Sequence, residues 1–165
     1  MAILIVYVDD IVLTGDDDEE IDKLKNILEK EFEINDLGNL KYFLGMEIAR
    51  SRTIIFVSQH KYVMNLLNET RMLEYKPADT PMDYTCKLGN LENSASIDKG
   101  RYQRLVGKLI YLSHTHLDIG FSMSMVSQFM NNPTEEHKTT VNKILRYLKM
   151  TPRKGLFFKK TTKRH

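Results

Sequence analysis

The sequence predicts an α+β fold, and three observations predict it. Short β-branched runs bounded by turn residues recur before Gln59, and apolar residues at helical spacing fill most of the stretch from Tyr102 to Leu148. The third is composition: 42% hydrophobic and 28% charged residues over 165 positions is what globular chains carry. A chain of this length makes one ordinary domain or two small ones, and it buries roughly two thirds of its unfolded surface.

The elements follow in order. Ile3-Leu4-Ile5-Val6-Tyr7-Val8 is a β-branched run that reads as a buried strand. Asp9-Asp10 interrupts it and Ile11-Val12-Leu13-Thr14 resumes it before Gly15, the pattern of a β-hairpin with Asp9 and Asp10 at its tip. Asp16-Asp17-Asp18-Glu19-Glu20 puts negative charge where a helix begins, and Ile21, Leu24, Ile27, Leu28 and Phe32 continue as one amphipathic helix. Leu40 to Ala49 and Thr53 to Ser58 read as two strands around Arg50-Ser51-Arg52, and Val63, Leu66 and Leu67 mark a short helix. From Lys76 to Gly100, Pro77, Pro81, Gly89 and the Asn and Ser residues near Asn93 are linker chemistry. Three helical patterns follow: Tyr102 to Leu112, Ile119 to Met130, and Val141 to Leu148. Pro133 separates the last two, Pro152 stops the third, and Lys159 to His165 reads as a frayed tail.

Several classes of function are excluded at this level. The opening apolar run is too short for a membrane span and lacks the basic flank of a signal peptide, so an intracellular protein, cytoplasmic or nuclear, with no membrane partner is expected. Cys86 is the single cysteine and cannot close an internal bridge, which fits a reducing compartment. The histidines His60, His114, His116, His137 and His165 show no zinc-ligand spacing with Cys86, and His114 and His116 read as surface residues. The methionines read as core filler, and neither a Gly-rich phosphate loop nor a nucleophile elbow is present.

Charge is lopsided although the net value is only +2. Asp9 to Asp36 holds twelve acids against three lysines, whereas His137 to His165 holds ten lysines or arginines and no acid. Such polarity suits a chain that handles cations at one end and polyanions at the other, or simply two solvated faces of opposite sign. The sharpest chemical feature is Tyr7-Val8-Asp9-Asp10 between two apolar strands. Two carboxylates about 4 Å apart repel by about 4 kcal/mol at an effective dielectric near 20. A hard divalent cation with oxygen ligands relieves that repulsion, although Asp-Asp is also good turn chemistry without an ion.

Aliphatic strand, Tyr-Val-Asp-Asp, aliphatic strand, Gly and acidic helix together resemble the palm motif of reverse transcriptases. The wording of the rest narrows the resemblance to copia-type long-terminal-repeat retrotransposons. The matching segments are Asp36-Leu37-Gly38, Tyr42-Phe43-Leu44-Gly45-Met46-Glu47, Ser58-Gln59-His60-Lys61-Tyr62, Asp79-Thr80-Pro81-Met82, Tyr102-Gln103-Arg104-Leu105-Val106-Gly107 and Ile144-Leu145-Arg146-Tyr147-Leu148-Lys149.

The resemblance implies a partial polymerase palm, with its antiparallel hairpin and strands over packed helices, followed by a three-helix thumb-like bundle. Residues 1–75 would be the C-terminal part of the palm, 76–100 a linker, 101–152 the thumb-like helices, and 153–165 a tail leading toward an absent ribonuclease H domain. Asp9 and Asp10 would be catalytic carboxylates and ligands of Mg²⁺, or Mn²⁺ in its place, with Asp9 the more direct ligand. Tyr7 and Val8 would line the floor beside the primer end, and Leu44, Gly45, Met46 and Glu47 would belong to a primer-gripping strand that continues to Ile48. Lys143, Arg146 and Lys149, three residues apart on one helix face, would track phosphates.

The implied partners are an RNA template, a DNA primer and deoxynucleoside triphosphates, together with the remaining palm, fingers and ribonuclease H parts of the polyprotein. The sequence departs from the family at His116-Leu117-Asp118-Ile119, where Arg-Pro-Asp-Ile is usual, and at Met150, where glycine is common. The third catalytic carboxylate and the fingers are expected to be missing, which makes this piece inactive alone. A different class of reading is a non-catalytic module that touches nucleic acid through its basic end.

Overall fold

The computed structural model describes residues 1–8, 10–83, 88–89 and 95–159. Asp9, Cys86, the polar stretch around Asn93 and the tail beyond Lys159, all singled out above, lie outside the described residues. The fold is mixed α and β, with five α-helices and two antiparallel sheets among the described residues. It divides into two compact units, Met1–Lys41 and Tyr42–His165.

In the first unit, β1 (Ala2–Tyr7) and β2 (Asp10–Gly15) form the expected hairpin, in register from Ala2 opposite Gly15 to Tyr7 opposite Asp10. Asp10 is therefore the first residue of β2 rather than part of the tip, because its backbone is taken into the ladder with Tyr7. Helix α1 (Asp18–Glu31) starts at Asp17, whose carboxylate accepts from the Glu19 and Glu20 amides, and the three acids of its first turn complement the helix dipole. It packs on β2. Asp36 then closes a small turn: one carboxylate oxygen accepts from the Gly38 N–H at 2.7 Å and the other from Lys25 Nζ at 2.9 Å, which holds this carboxyl below its usual range. No described residue of this unit is buried. The expected buried strand is thus corrected: a two-stranded ribbon with one helix has too little partner surface to cover residues that are apolar on both faces.

The second unit is a four-stranded antiparallel sheet with helices. Strands β3 (Tyr42–Phe43), β4 (Met46–Arg50), β5 (Ile54–Ser58) and β6 (Gly155–Lys159) lie in the order β3-β4-β5-β6. The single strand expected from Leu40 to Ala49 is two, because Leu44 and Gly45 both have positive φ (50° and 75°) and make a two-residue turn closed by Phe43 opposite Met46. Strand β6 is an element the sequence reading treated as tail. Its Gly155 is required where it pairs with Ser58, since a Cβ there would stand 2.2 Å from the Val57 carbonyl oxygen.

The core of this unit lies among the helices α2 (His60–Glu69), α3 (Lys99–Leu112), α4 (Gly120–Ser127) and α5 (Glu135–Met150). The helical patterns read from the sequence hold: Leu66, Val106, Val126, Ile144 and Leu148 are among its buried side chains. Tyr102 is buried too and donates from its hydroxyl to the Val126 carbonyl at 2.8 Å, and burial pushes that phenol up to about 12. The stretch read as a linker is packed in its described parts. Ala78, Met82 and Leu88 are buried, and the Ala78 N–H donates to the Arg146 carbonyl. The boundary between the two compact units lies between Lys41 and Tyr42.

Candidate active site

The hairpin end presents the motif residues to solvent. Tyr7, Val8 and Asp10 are all exposed, Val8 at 80%. Val8 has φ +49°, the sign a two-residue I′ turn asks of its first position. A β-branched side chain pays for that conformation in strain of about 1–3 kcal/mol, and such strain concentrates at functional sites. Oxygen donors suit a hard cation, and Asp10 supplies one described carboxylate. Among the described residues, no three His, Cys, Asp or Glu side chains converge as metal ligands.

The other segments expected at the site have definite structural work. Leu44 and Gly45 form the exposed tip of the β3–β4 turn, and Met46 opens β4. Glu47 reaches forward to the start of α2, where its Oε1 accepts from the Lys61 N–H at 2.8 Å. The N-cap residue Gln59 makes no side-chain cap, so Glu47 supplies both the acceptor and the negative charge that the helix start favours. Gln59 is fully buried instead, accepting from the Thr115 hydroxyl at 2.7 Å, and His60 Nδ1 lies 3.2 Å from the Pro152 carbonyl.

Lys143, Arg146 and Lys149 do share a face of α5, but their polar ends are engaged within the chain. Lys143 Nζ lies 2.5 Å from Asp83 Oδ1, Arg146 Nε donates to the Lys76 carbonyl at 2.6 Å, and Lys149 Nζ donates to the Leu73 and Tyr75 carbonyls at 2.6 and 2.8 Å. All three are half-buried and clamp residues 73–83 along the helix.

Two groups escaped sequence reasoning. His116, read as a surface residue, is 0% exposed, with neither ring nitrogen hydrogen-bonded among the described residues and Nδ1 3.9 Å from Asp118 Oδ1. Its place beside a 3-10 turn (Leu117–Ile119) rather than on a helix carries it inward, and burial holds it below its ordinary pKa. Asp118 accepts from the Tyr147 hydroxyl and from Lys154 Nζ at 2.8 Å; burial pushes its carboxyl up, but these bonds outweigh burial and hold it low. His137 is the second: its Nδ1 accepts from the Thr134 N–H at 3.0 Å in a capping box that starts α5. The Thr134-x-x-His137 spacing at the helix start, a capping box with histidine in the place of Glu or Gln, is the signal that would have found it.

Comparison with known proteins shows the family. Residues 1–84 match the family model described as reverse transcriptase (RNA-dependent DNA polymerase). The Pol polyprotein from transposon RE1 of Arabidopsis thaliana is 41% identical over 157 residues, covering 95% of this chain and 11% of the polyprotein. The Pol polyprotein from transposon TNT 1-94 of Nicotiana tabacum is 39% identical over 158 residues, 90% of this chain and 12% of the polyprotein. An uncharacterized mitochondrial protein of Arabidopsis thaliana is 37% identical over 161 residues, 97% of this chain and 66% of that protein. The chain thus spans about a tenth of the length of the curated polyproteins it matches. No solved structure gives a significant match, and no described helix is long and apolar enough to cross a membrane. With the family model covering half the chain, and Pol polyproteins of plant retrotransposons matching nearly all of it, the chain belongs to the reverse transcriptase family of copia-type retrotransposons.

Proposed function

We propose that this chain contributes the metal-binding turn, Tyr7-Val8-Asp9-Asp10, to an RNA-directed DNA polymerase. The observation that carries the reading is the strained Val8 between an exposed, paired Tyr7 and Asp10, inside the segment the family model matches. In this reading Asp9 and Asp10 hold Mg²⁺, or Mn²⁺ in its place. When bound, the ions assist attack of a primer 3′-hydroxyl on the α-phosphate of a deoxynucleoside triphosphate. Tyr7 and Val8 form an apolar floor under the primer end, and the Leu44–Gly45 turn, with Met46 behind it, is the primer-gripping segment. Glu47 acts there through α2, as a positioning residue.

Residues 1–75 are palm and 101–152 thumb in this scheme, and RNA template, DNA primer and the other polyprotein parts are the partners. Two carboxylates make an incomplete ligand set for two-metal chemistry, so a further acidic ligand comes from another polyprotein segment.

The test is on the purified chain. Mn²⁺ broadening of the amide signals of residues 7, 8 and 10 is expected, and Asp9→Asn combined with Asp10→Asn removes it. Broadening that survives the double replacement, or that centres elsewhere, refutes the site. Primer extension on an RNA template with Mg²⁺ should show no incorporation by the 165-residue chain alone; robust incorporation overturns the claim that the ligand set is incomplete.

A further inference from the structure

We propose that the corner of the four-stranded sheet where the β4–β5 turn meets the end of β6 binds single-stranded nucleic acid. Phe157 and Phe158 supply base-stacking faces, and Arg50, Arg52 and Lys159 contact phosphates. The proposal goes beyond the nucleotidyl-transfer reading, since it uses no residue of the Tyr7–Asp10 turn.

The strand register brings these groups together. Ile54 pairs with Lys159, so the Arg50-Ser51-Arg52-Thr53 turn and the end of β6 share one end of the sheet. Arg50, Ile55 and Phe158 form one cross-strand row, and Ala49, Phe56 and Phe157 form the neighbouring row on the opposite face. Phe157 is 71% exposed and Phe158 52%. Phe157 is also backed by Phe56, ring centroids 4.4 Å apart, so its outer face is held in place. Two adjacent phenyl groups in water, one on each face of an edge strand, are an unusual use of apolar surface.

The cations around them are uncommitted. Arg50, Arg52 and Lys159 are exposed and have no ion-pair partner among the described residues, in contrast to Lys143 and Lys154, whose charges are met by Asp83 and Asp118. The acidic residue of this sheet, Glu47, pairs with Ser58 at its far end and is taken up by α2.

Positive charge tracking a backbone beside aromatic faces that accept unstacked bases is the chemistry of single-strand binding. A duplex keeps its bases stacked and leaves the rings unused. An added protein strand would use the edge of β6, unpaired among the described residues, but leave the cations unused.

The experiment titrates a fluorescein-labelled 20-nucleotide oligo(dT) with the full chain at several NaCl concentrations and reads anisotropy. Arg50→Gln, Arg52→Gln and Lys159→Gln together should weaken binding and reduce the slope of log affinity against log salt by about 2. Phe157→Ala and Phe158→Ala should each weaken it roughly tenfold with the slope unchanged. The chain has no tryptophan, so Phe157→Trp introduces a lone reporter, which should keep wild-type affinity and be quenched by the oligonucleotide. That variant also separates loss of stacking from loss of folding. The titration is run without divalent metal, so failure here is distinct from failure of the metal site.

Three results overturn the proposal. One is binding that persists undiminished in both alanine variants with no quenching of the tryptophan. Another is absence of salt-dependent oligonucleotide binding. The third is light scattering that shows a dimer dissolved by Phe157→Ala while oligonucleotide affinity is unchanged, which would make the edge a protein interface.

Discussion

Lys149 separates two roles for the basic face of α5. If it clamps the chain, Lys149→Met keeps the aliphatic stem and removes two charge-assisted bonds, to the Leu73 and Tyr75 carbonyls at 2.6 and 2.8 Å. Bonds to a charged donor contribute about 1.5–3 kcal/mol when buried. Here one half-buried ammonium serves both carbonyls, and water takes over part of the lost bonding, so the expected loss is about 1–2 kcal/mol. For a unit of this size that lowers the melting temperature by roughly 4–8 °C. Thermal melts followed by circular dichroism give the value, and limited proteolysis between Met72 and Asp83 shows where the chain has loosened. Lys149→Arg should recover part of the loss, because a guanidinium also donates to carbonyls. A Lys149→Met chain that melts with the wild type yet binds oligonucleotide several-fold more weakly would refute the clamp and support a phosphate-tracking role.

Acidification should destabilise the helical unit. His116 and His137 both have folded pKa values held below the usual 6.5 by burial, so the unfolded chain binds protons first as pH falls. Stability is then full above about pH 6.5 and declines from there toward the lowered folded values, with a slope of up to about 1.4 kcal/mol per pH unit for each histidine. Urea midpoints between pH 7.5 and 5 measure it, and His116→Phe should flatten the profile; an unchanged slope would show that His116 takes up protons equally in the folded and unfolded states. Glu47→Gln should cost about 0.5–1 kcal/mol by weakening the charge at the α2 start, and Glu47→Ala about 1–2 kcal/mol by removing the acceptor, both read as urea midpoints.

The hairpin, α1 and the helices α3 to α5 were legible because each is carried by local periodicity and by punctuation such as Asp17, Pro133 and Pro152. The β3–β4 turn was not, since Leu44-Gly45 lacks the Asn-Gly signature and Leu44 adopts a left-handed backbone that its side chain disfavours. Strand β6 was hidden for another reason: five residues after a helix-stopping proline look like tail until the distant partner β5 is known. The basic face of α5 was seen correctly as a face, but its carbonyl and Asp83 partners lie 60 to 76 positions upstream, beyond the reach of any local pattern. The motif turn was legible as a hairpin end, but the exposure of the strand leading into it was not, because an apolar run looks the same whether or not something covers it.

Pairing β5 with β6 ties the beginning of the second unit to its last described residues. On a ribosome, the sheet therefore stays one strand short until synthesis has almost passed the whole unit, and β5 waits with an unsatisfied edge. A premature stop after Lys154 would strand that edge for good, leaving Phe56 without Phe157 and the nascent product open to capture by neighbouring chains.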